Sequence, residues 1–463
     1  MSAAPRVVAA VAAGKATAAA SRLTGRGGGT SLPGLVAERI SPHLLGDLLA
    51  ASATRVAAVT GSNGKTTTAR LLAALLTGEG LSVGHNRAGA NLARGITALA
   101  VSTASWTGRL PDGVLVAEVD EGALLEVTPQ ARPAVLVVTN LFRDQLDRFG
   151  EIYAVADALA AAAARLPADA TLVLNADDPL VAALADRVSL PVLTFGFDGP
   201  DSLDALSSAA DSIRCPRCRV DLTYTRVWLS HLGDYHCPSC GFTRPQPDVA
   251  VTAVRVLGSD RTQLVVRTPD ATVDLDLPQG GVHVAYNAAA ALAAAAALGV
   301  AVPHAADSLA GVRPAFGRLE TLDAGGRAVA LAFAKNPTSF NTTLHTVMAD
   351  GGPRHLMMAV SNTGVDGEDF GWLWDVDVEP LADRVEHVTL AGLRADELAT
   401  RLKYAGVPES ATTVVTDPVA ALDAALALLP HGERLVVVAG YTPTIQVREA
   451  MRRRGWTNRY WQS

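Results

Sequence analysis

The chain has 463 residues, with 39 Lys+Arg against 46 Asp+Glu and a formal net charge of −7. Hydrophobic residues make up 49% and charged residues 18%, a balance that excludes a disordered chain, and the length points to about two or three cores rather than one. No block of basic residues stands out, which argues against a nucleic-acid partner.

The first predicted element is Pro5 to Ala20, rich in Ala and Val. Arg6 and Lys15 interrupt it, and no run is long enough to span a bilayer. It reads as an amphipathic helix packed on the body. No other segment reads as transmembrane, so a cytoplasmic protein is expected. Residues 21 to 35 form a Gly/Ser/Pro-rich linker. Arg55–Thr60 is a short buried strand running into Gly61-Ser62-Asn63-Gly64-Lys65-Thr66-Thr67, and a helix follows from Lys65 to about Gly78.

Further apolar runs follow at 114–117, 134–138, 171–174 and 192–195, with helical stretches between several of them. This alternation predicts a parallel sheet covered on both faces, with ligands at the carboxyl ends of its strands. Composition shifts at about 206–246, where all four cysteines lie. A β pattern runs over 249–278, and Ala285–Ala297 is a helix. Residues near Arg313 to Glu320 look like a hinge. A second α/β region has strands near 328–333, 356–360, 387–391 and 435–440.

Strand, glycine turn and helix together form a phosphate-binding device. The glycines let backbone N–H groups approach an anion, and the helix N-terminus adds partial positive charge. Lys65 places a point charge on the terminal phosphates, and Thr66 offers a hydroxyl to Mg²⁺. ATP and Mg²⁺ are therefore the expected ligands.

Cys215-x-x-Cys218 and Cys237-x-x-Cys240, 18 residues apart, have the spacing of a zinc ribbon. Four thiolates close a tetrahedral site, so the Zn²⁺ is expected to be structural. A nucleic-acid-reading ribbon and a pair of disulfides are the alternatives. With all four cysteines on zinc, no thiol remains here for glutamine hydrolysis.

Only Ser62 and Asn63 separate Gly61 from Gly64-Lys65, and this short T-G-S-N-G-K-T-T loop resembles the Mur ligase and folylpolyglutamate synthase superfamily. Five more segments resemble it in the same order. Glu118, in A-E-V-D-E, looks like the superfamily's metal-binding glutamate. Thr139–Asp147 resembles T-N-x-x-x-D-H-L-D, and Leu174–Pro179 matches L-N-x-D-D-P. Asn287 stands where relatives place an adenine-contacting Asn. Arg318, in F-G-R-L-E, stands where they place an arginine reaching the nucleotide. The implied ATP-binding set is Gly61, Asn63, Gly64, Lys65, Thr66, Thr67, Asn287 and Arg318, with Thr66 and Glu118 for magnesium.

The departures matter too. Gln145 replaces a metal-binding His, leaving a second Mg²⁺ open. No lysine lies between Glu151 and Pro167, where several relatives carry a carbamylated one. Val284 replaces the first Asn of the adenine segment. A-K-N-P at 334–337 stands where amino-acid-adding relatives have A-H-N-P. With D-G-E-D-F-G-W-L-W-D at 366–375, the pattern looks like the MurT family of lipid II isoglutaminyl synthase subunits.

That resemblance implies an α/β fold: a Mur-ligase-type central P-loop domain at 53–312 with an inserted zinc ribbon at 206–246, a helical segment and linker at 1–52, and a partner-binding α/β domain at 313–463. It implies ATP-dependent amidation of a D-glutamate α-carboxylate in lipid II, at the inner face of the cytoplasmic membrane. Ammonia would come from a GatD-like glutaminase subunit. Asp369, with Asp366 as runner-up, would complete that partner's catalytic triad. Glu368 stands where the family pattern has arginine. An amino-acid-adding ligase and a zinc-ribbon nucleotide-binding regulator are the rival readings.

Overall fold

A computed structural model describes residues 4–24, 31–86, 90–143, 152–199, 201, 211–314, 317–348, 354–363 and 366–457. The apolar runs of the first half become parallel strands because neither sheet face meets water. They are β1 (Arg55–Thr60), β3 (Gly113–Glu118), β4 (Val135–Val138), β5 (Thr171–Asn175) and β6 (Val192–Phe197), with the short, partly exposed strand β2 (Ser82–His85) added in parallel at the edge beside β3. The β pattern at 249–278 does not form a separate sheet. Its strands β9 (Val249–Leu257), β10 (Arg261–Arg267) and β11 (Thr272–Leu277) extend the same one. The order is β11-β10-β9-β6-β5-β4-β1-β3-β2. β6 and β9 pair in parallel, and β10 and β11 close the edge antiparallel.

Alternation along β1 divides the core. Val56 and Ala58 face a cluster that includes the helices Pro5–Thr24, Ala93–Thr103 and Ile152–Ala163. Ala57 and Val59 face a second cluster built on the helices Lys65–Gly78 and Val282–Ala297. The alanine-rich helix 282–297 is buried along almost its whole length, because small side chains let it lie close to the sheet. The Cys segment contributes a hairpin, β7 (Thr223–Leu229) and β8 (Leu232–His236).

The second half forms another sheet from β12 (Arg318–Asp323), β13 (Ala328–Phe333), β14 (Arg354–Ala359), β15 (Val385–Ala391), β16 (Thr412–Val414) and β17 (Arg434–Ala439). Its order is β12-β13-β17-β14-β15-β16, parallel except at β12. Clusters cover both faces here as well.

One expectation needs correction. The linker of 21–35 is shorter, because Ser21–Thr24 belongs to the first helix and Leu32–Leu35 opens the helix Leu32–Ile40, where Pro33 is accepted in the first turn; residues 25–30 lie outside the described ones. Within the segment near Arg313 to Glu320, Arg318–Glu320 forms the start of β12.

Candidate active site

The phosphate loop joins β1 to the helix Lys65–Gly78 at the carboxyl edge of the main sheet. Gly61 (φ 122°) and Gly64 (φ 86°) both adopt backbone that L side chains avoid. A Cβ on Gly61 would strike Thr139 and Asn140, and one on Gly64 would strike Asn287. The loop is thus clamped between two segments of the sequence pattern. Thr139 Oγ1 donates to Asn63 O at 2.7 Å, Asn140 Nδ2 donates to the same oxygen at 3.1 Å, and Asn63 N donates to Asn140 Oδ1 at 2.8 Å.

Lys65 is buried, 7% exposed. Its ammonium donates to Gly61 O and, at 3.3 Å, to Ser62 O, and it pairs with Glu121 Oε2 at 3.0 Å. Burial pushes the Glu121 carboxyl up, but Lys65 and Lys335 outweigh it and leave it below the usual range. Glu118, at the end of β3, is also buried. Burial raises its pKa, while Lys65, the Thr66 hydroxyl, Arg318 and Lys335 act the other way. A buried carboxylate beside a hydroxyl at a phosphate loop suits a hard divalent cation with oxygen ligands, so Thr66 and Glu118 fit Mg²⁺. Gln145 lies outside the described residues.

The C-terminal sheet supplies the far wall. Arg318 opens β12 beside a bulge in which Leu319 sits at φ 56°, a strained position that re-aims the neighbouring side chain. Burial lowers the Arg318 pKa against the pull of Glu118. Lys335, just past β13, bears on both Glu118 and Glu121. Asn336 Nδ2 reaches Asn63 Oδ1 at 3.5 Å. The structure therefore gathers Asn63, Lys65, Thr66, Glu118 and Arg318 in one place. It adds Glu121 and Lys335, to which the sequence reading gave no role. Thr67 is buried in the first helical turn.

Asn287 is not at a surface. It is 4% exposed, with Oδ1 accepting from Thr68 Oγ1 at 3.3 Å and backing Gly64. Beside it, Tyr286 donates to Asp177 Oδ2 at 2.8 Å, Arg244 Nε donates to Asp177 Oδ1 at 2.7 Å, and Phe197 N donates to Oδ2 at 2.8 Å. Burial still pushes Asp177 up to about 6.

The four cysteine sulfurs lie within 4.8 Å of one another, with Cys215–Cys240 at 3.5 Å and Cys218–Cys237 at 3.4 Å. Thiolates around a tetrahedral Zn²⁺ sit about 3.8 Å apart, given Zn–S bonds of about 2.3 Å, so the donor set fits that ion. Cys215 and Cys237 are buried against Tyr235 and Phe242.

At the C-terminal acidic segment the two aspartates differ. Asp366 is tied down: it accepts from the Thr363 hydroxyl and, at 2.9 Å, from Thr442 N. Asp369 is exposed and accepts a local bond from Gly371 N, at 2.9 Å, where the 3-10 helix Gly371–Asp375 begins.

A parallel sheet, a short glycine loop and a second α/β unit closing over the lysine define an ATP-dependent ligase of the Mur ligase class, and the Mur ligase middle domain family matches residues 59–217. The MurT ligase C-terminal family matches residues 333–444. The chain belongs to the MurT family of lipid II isoglutaminyl synthase subunits. It is 32% identical over 432 residues to the glutamine-hydrolysing lipid II isoglutaminyl synthase subunit MurT of Streptococcus pneumoniae, covering 92% of this chain and 93% of that one. Identity to the Staphylococcus aureus (strain COL) subunit of the same name is 31%, covering 84% and 85%. In fold it is similar to the pseudomurein peptide ligase type C of Methanothermus fervidus (TM-score 0.68, 21% identity, 86% of this chain and 79% of that one). It also resembles Mycobacterium tuberculosis folylpolyglutamate synthase complexed with ADP (TM-score 0.62, 18% identity, 88% and 92%). No helix among the described residues is long and apolar enough to cross a membrane.

Proposed function

We propose that this chain activates the α-carboxylate of the D-glutamate residue in lipid II with ATP and amidates it with ammonia from a GatD-like glutaminase subunit. The observation that carries this is the convergence of Lys65, Arg318 and Lys335 around buried Glu118 and part-buried Glu121, with every cysteine gathered at the ribbon.

The loop N–H groups and Lys65 hold the terminal phosphates. Glu121 keeps the ammonium aimed until ATP's own negative charge takes over that pairing. The substrate carboxylate attacks the γ-phosphorus, the bond to the β-phosphate bridging oxygen breaks, and ADP leaves. Lys65, Arg318 and Lys335 offset charge on the transferred group. Magnesium held by Thr66 and Glu118 would supply further charge neutralisation there. Ammonia then attacks the acyl carbon, phosphate leaves with the C–O bond, and a proton is lost to give the carboxamide. The four cysteines would hold zinc with no open coordination position, which would make it structural.

Asp369 is the residue proposed to complete the partner's Cys-His pair, since it is the exposed aspartate of the D-G-E-D segment. The reaction would take place at the inner face of the cytoplasmic membrane, where the lipid-linked substrate is anchored. The test is an assay of the purified chain with lipid II, ATP, Mg²⁺ and ammonium. A lipid II carboxamide with ADP formed in step supports the reading. ATP turnover only with an amino acid would refute it.

A further inference from the structure

The β7–β8 hairpin ends away from its cysteines, and its tip is buried. Ser230 and His231 form the turn, and His231 is 0% exposed. Its ring packs on Phe142 at 4.7 Å between centroids. Nδ1 accepts from Asp211 N at 3.4 Å, and Nε2 lies 3.5 Å from Asp178 Oδ2. An Nδ1 that accepts leaves the ring proton on Nε2, facing the carboxylate.

Those neighbours hold the segment that clamps the phosphate loop. Leu141 N donates to Asp178 Oδ2 at 2.7 Å, Phe142 N to Ser62 Oγ at 2.9 Å and Arg143 N to Asp211 Oδ2 at 2.8 Å. Three successive backbone donors are therefore satisfied by the D-D-P turn, the phosphate loop and the base of the cysteine insertion. Further along the hairpin, Tyr235 donates to Ala176 O at 3.0 Å and Gly233 N to Asp177 O at 3.0 Å. Tyr235 itself packs among Cys215, Cys237 and Phe242. A continuous set of buried contacts thus runs from the cysteine cluster to Asn140, which grips Asn63.

We propose that the cysteine insertion is a strut for the nucleotide site: His231 and Asp211 are positioning residues that hold residues 139–143 in the shape the phosphate loop requires. Phosphate affinity at such a loop depends on N–H groups fixed before the anion arrives. Loss of the tip leaves Asp178 short of a neighbour and opens a void behind Phe142, so the clamp on Asn63 loosens. This rests on the ATP-binding reading above.

The test is nucleotide affinity of the full chain, read with a fluorescent ATP analogue below the melting temperature, with zinc content measured alongside. His231→Ala is expected to weaken binding by about tenfold, the scale of one lost buried polar contact, while zinc stays at the wild-type ratio. His231→Gln, which keeps an amide N–H for Asp178, is expected to recover part of it. Asp211→Asn keeps the side-chain volume and covers the case in which the alanine variant fails to fold; it too is expected to weaken binding. A merely structural role lowers the melting temperature of these variants with unchanged affinity, and that result overturns the proposal. Wild-type protein that binds no nucleotide overturns the ATP reading as well.

Discussion

Arg143 joins the two α/β units: its guanidinium lies 3.2 Å from Asp375 and on its other side holds Asp211. Asp375 ends the short helix whose first residue, Gly371, donates its N–H to Asp369. The pair therefore links the segment clamping the phosphate loop to the aspartate proposed for the partner's triad.

Both side chains are 36% exposed, so the pair itself is worth less than about 1 kcal/mol. Asp375→Asn is expected to leave the melting temperature nearly unchanged and to reduce glutamine-dependent turnover more than ammonia-dependent turnover. Paired assays with the two nitrogen sources check this. Equal losses would show that the link does not reach Asp369.

Lys65→Ala removes the buried charge that faces the phosphates and breaks its ion pair with Glu121, leaving Lys335 as the cation acting on that carboxylate. ATP-dependent amidation is expected to fall by about a hundredfold or more, the scale of one lost transition-state donor. Steady-state rates with ammonium report it. Near-wild-type activity would place the phosphates elsewhere.

Asp369→Asn is expected to lower glutamine-dependent amidation by up to about 10⁴-fold, as for an aspartate that orients a catalytic imidazole, and to spare ammonia-dependent amidation. Asp366→Asn should behave differently. Its carboxylate is held by Thr363 and Thr442, so both activities and the melting temperature should drop together.

These contrasts bear on what the sequence made legible. The phosphate loop, the strands beside it and the cysteine spacing are local patterns, set by glycine conformation and apolar alternation, and they read directly. Glu121 lay inside a recognised segment, yet its pairing with Lys65 depends on how β1 and β3 align, which no local pattern specifies. His231 carried no signal at all, because its partners Asp178 and Phe142 lie far away in the chain. The short strand β2, half-exposed rather than apolar, went unread for want of a hydrophobic run. Asn287 was expected to open a helix, but that helix starts at Val282 and holds Asn287 in its second turn, and its burial against Gly64 comes from tertiary packing.

The ribbon gives a prediction on metal. Cys237→Ser removes one of four thiolates and is expected to lower bound zinc well below one ion per chain and to destabilise the hairpin, since such sites contribute folding energy. Metal analysis and thermal melts check it. Full zinc retention would exclude the four-cysteine site.

Asp177 supplies a pH signature. Its folded-state pKa is raised from 3.8 to about 6, so the folded protein binds the proton more tightly than the unfolded chain. The stability from this group is complete below about pH 4 and is lost as pH rises through 6, on the order of 3 kcal/mol. Asp177→Asn should remove that slope from a plot of unfolding free energy against pH between 4 and 6. An unchanged slope would assign it to another group.

The central claim is that the carboxylate activated here receives ammonia rather than an amino acid. The direct measurement is the mass of lipid II after incubation with the chain, ATP, Mg²⁺ and ammonium, compared with a reaction containing amino acids instead. The account predicts a product in which one hydroxyl has been exchanged for an amino group, formed only with ammonium and ATP. A product heavier by an amino-acid residue, with no carboxamide, would contradict it.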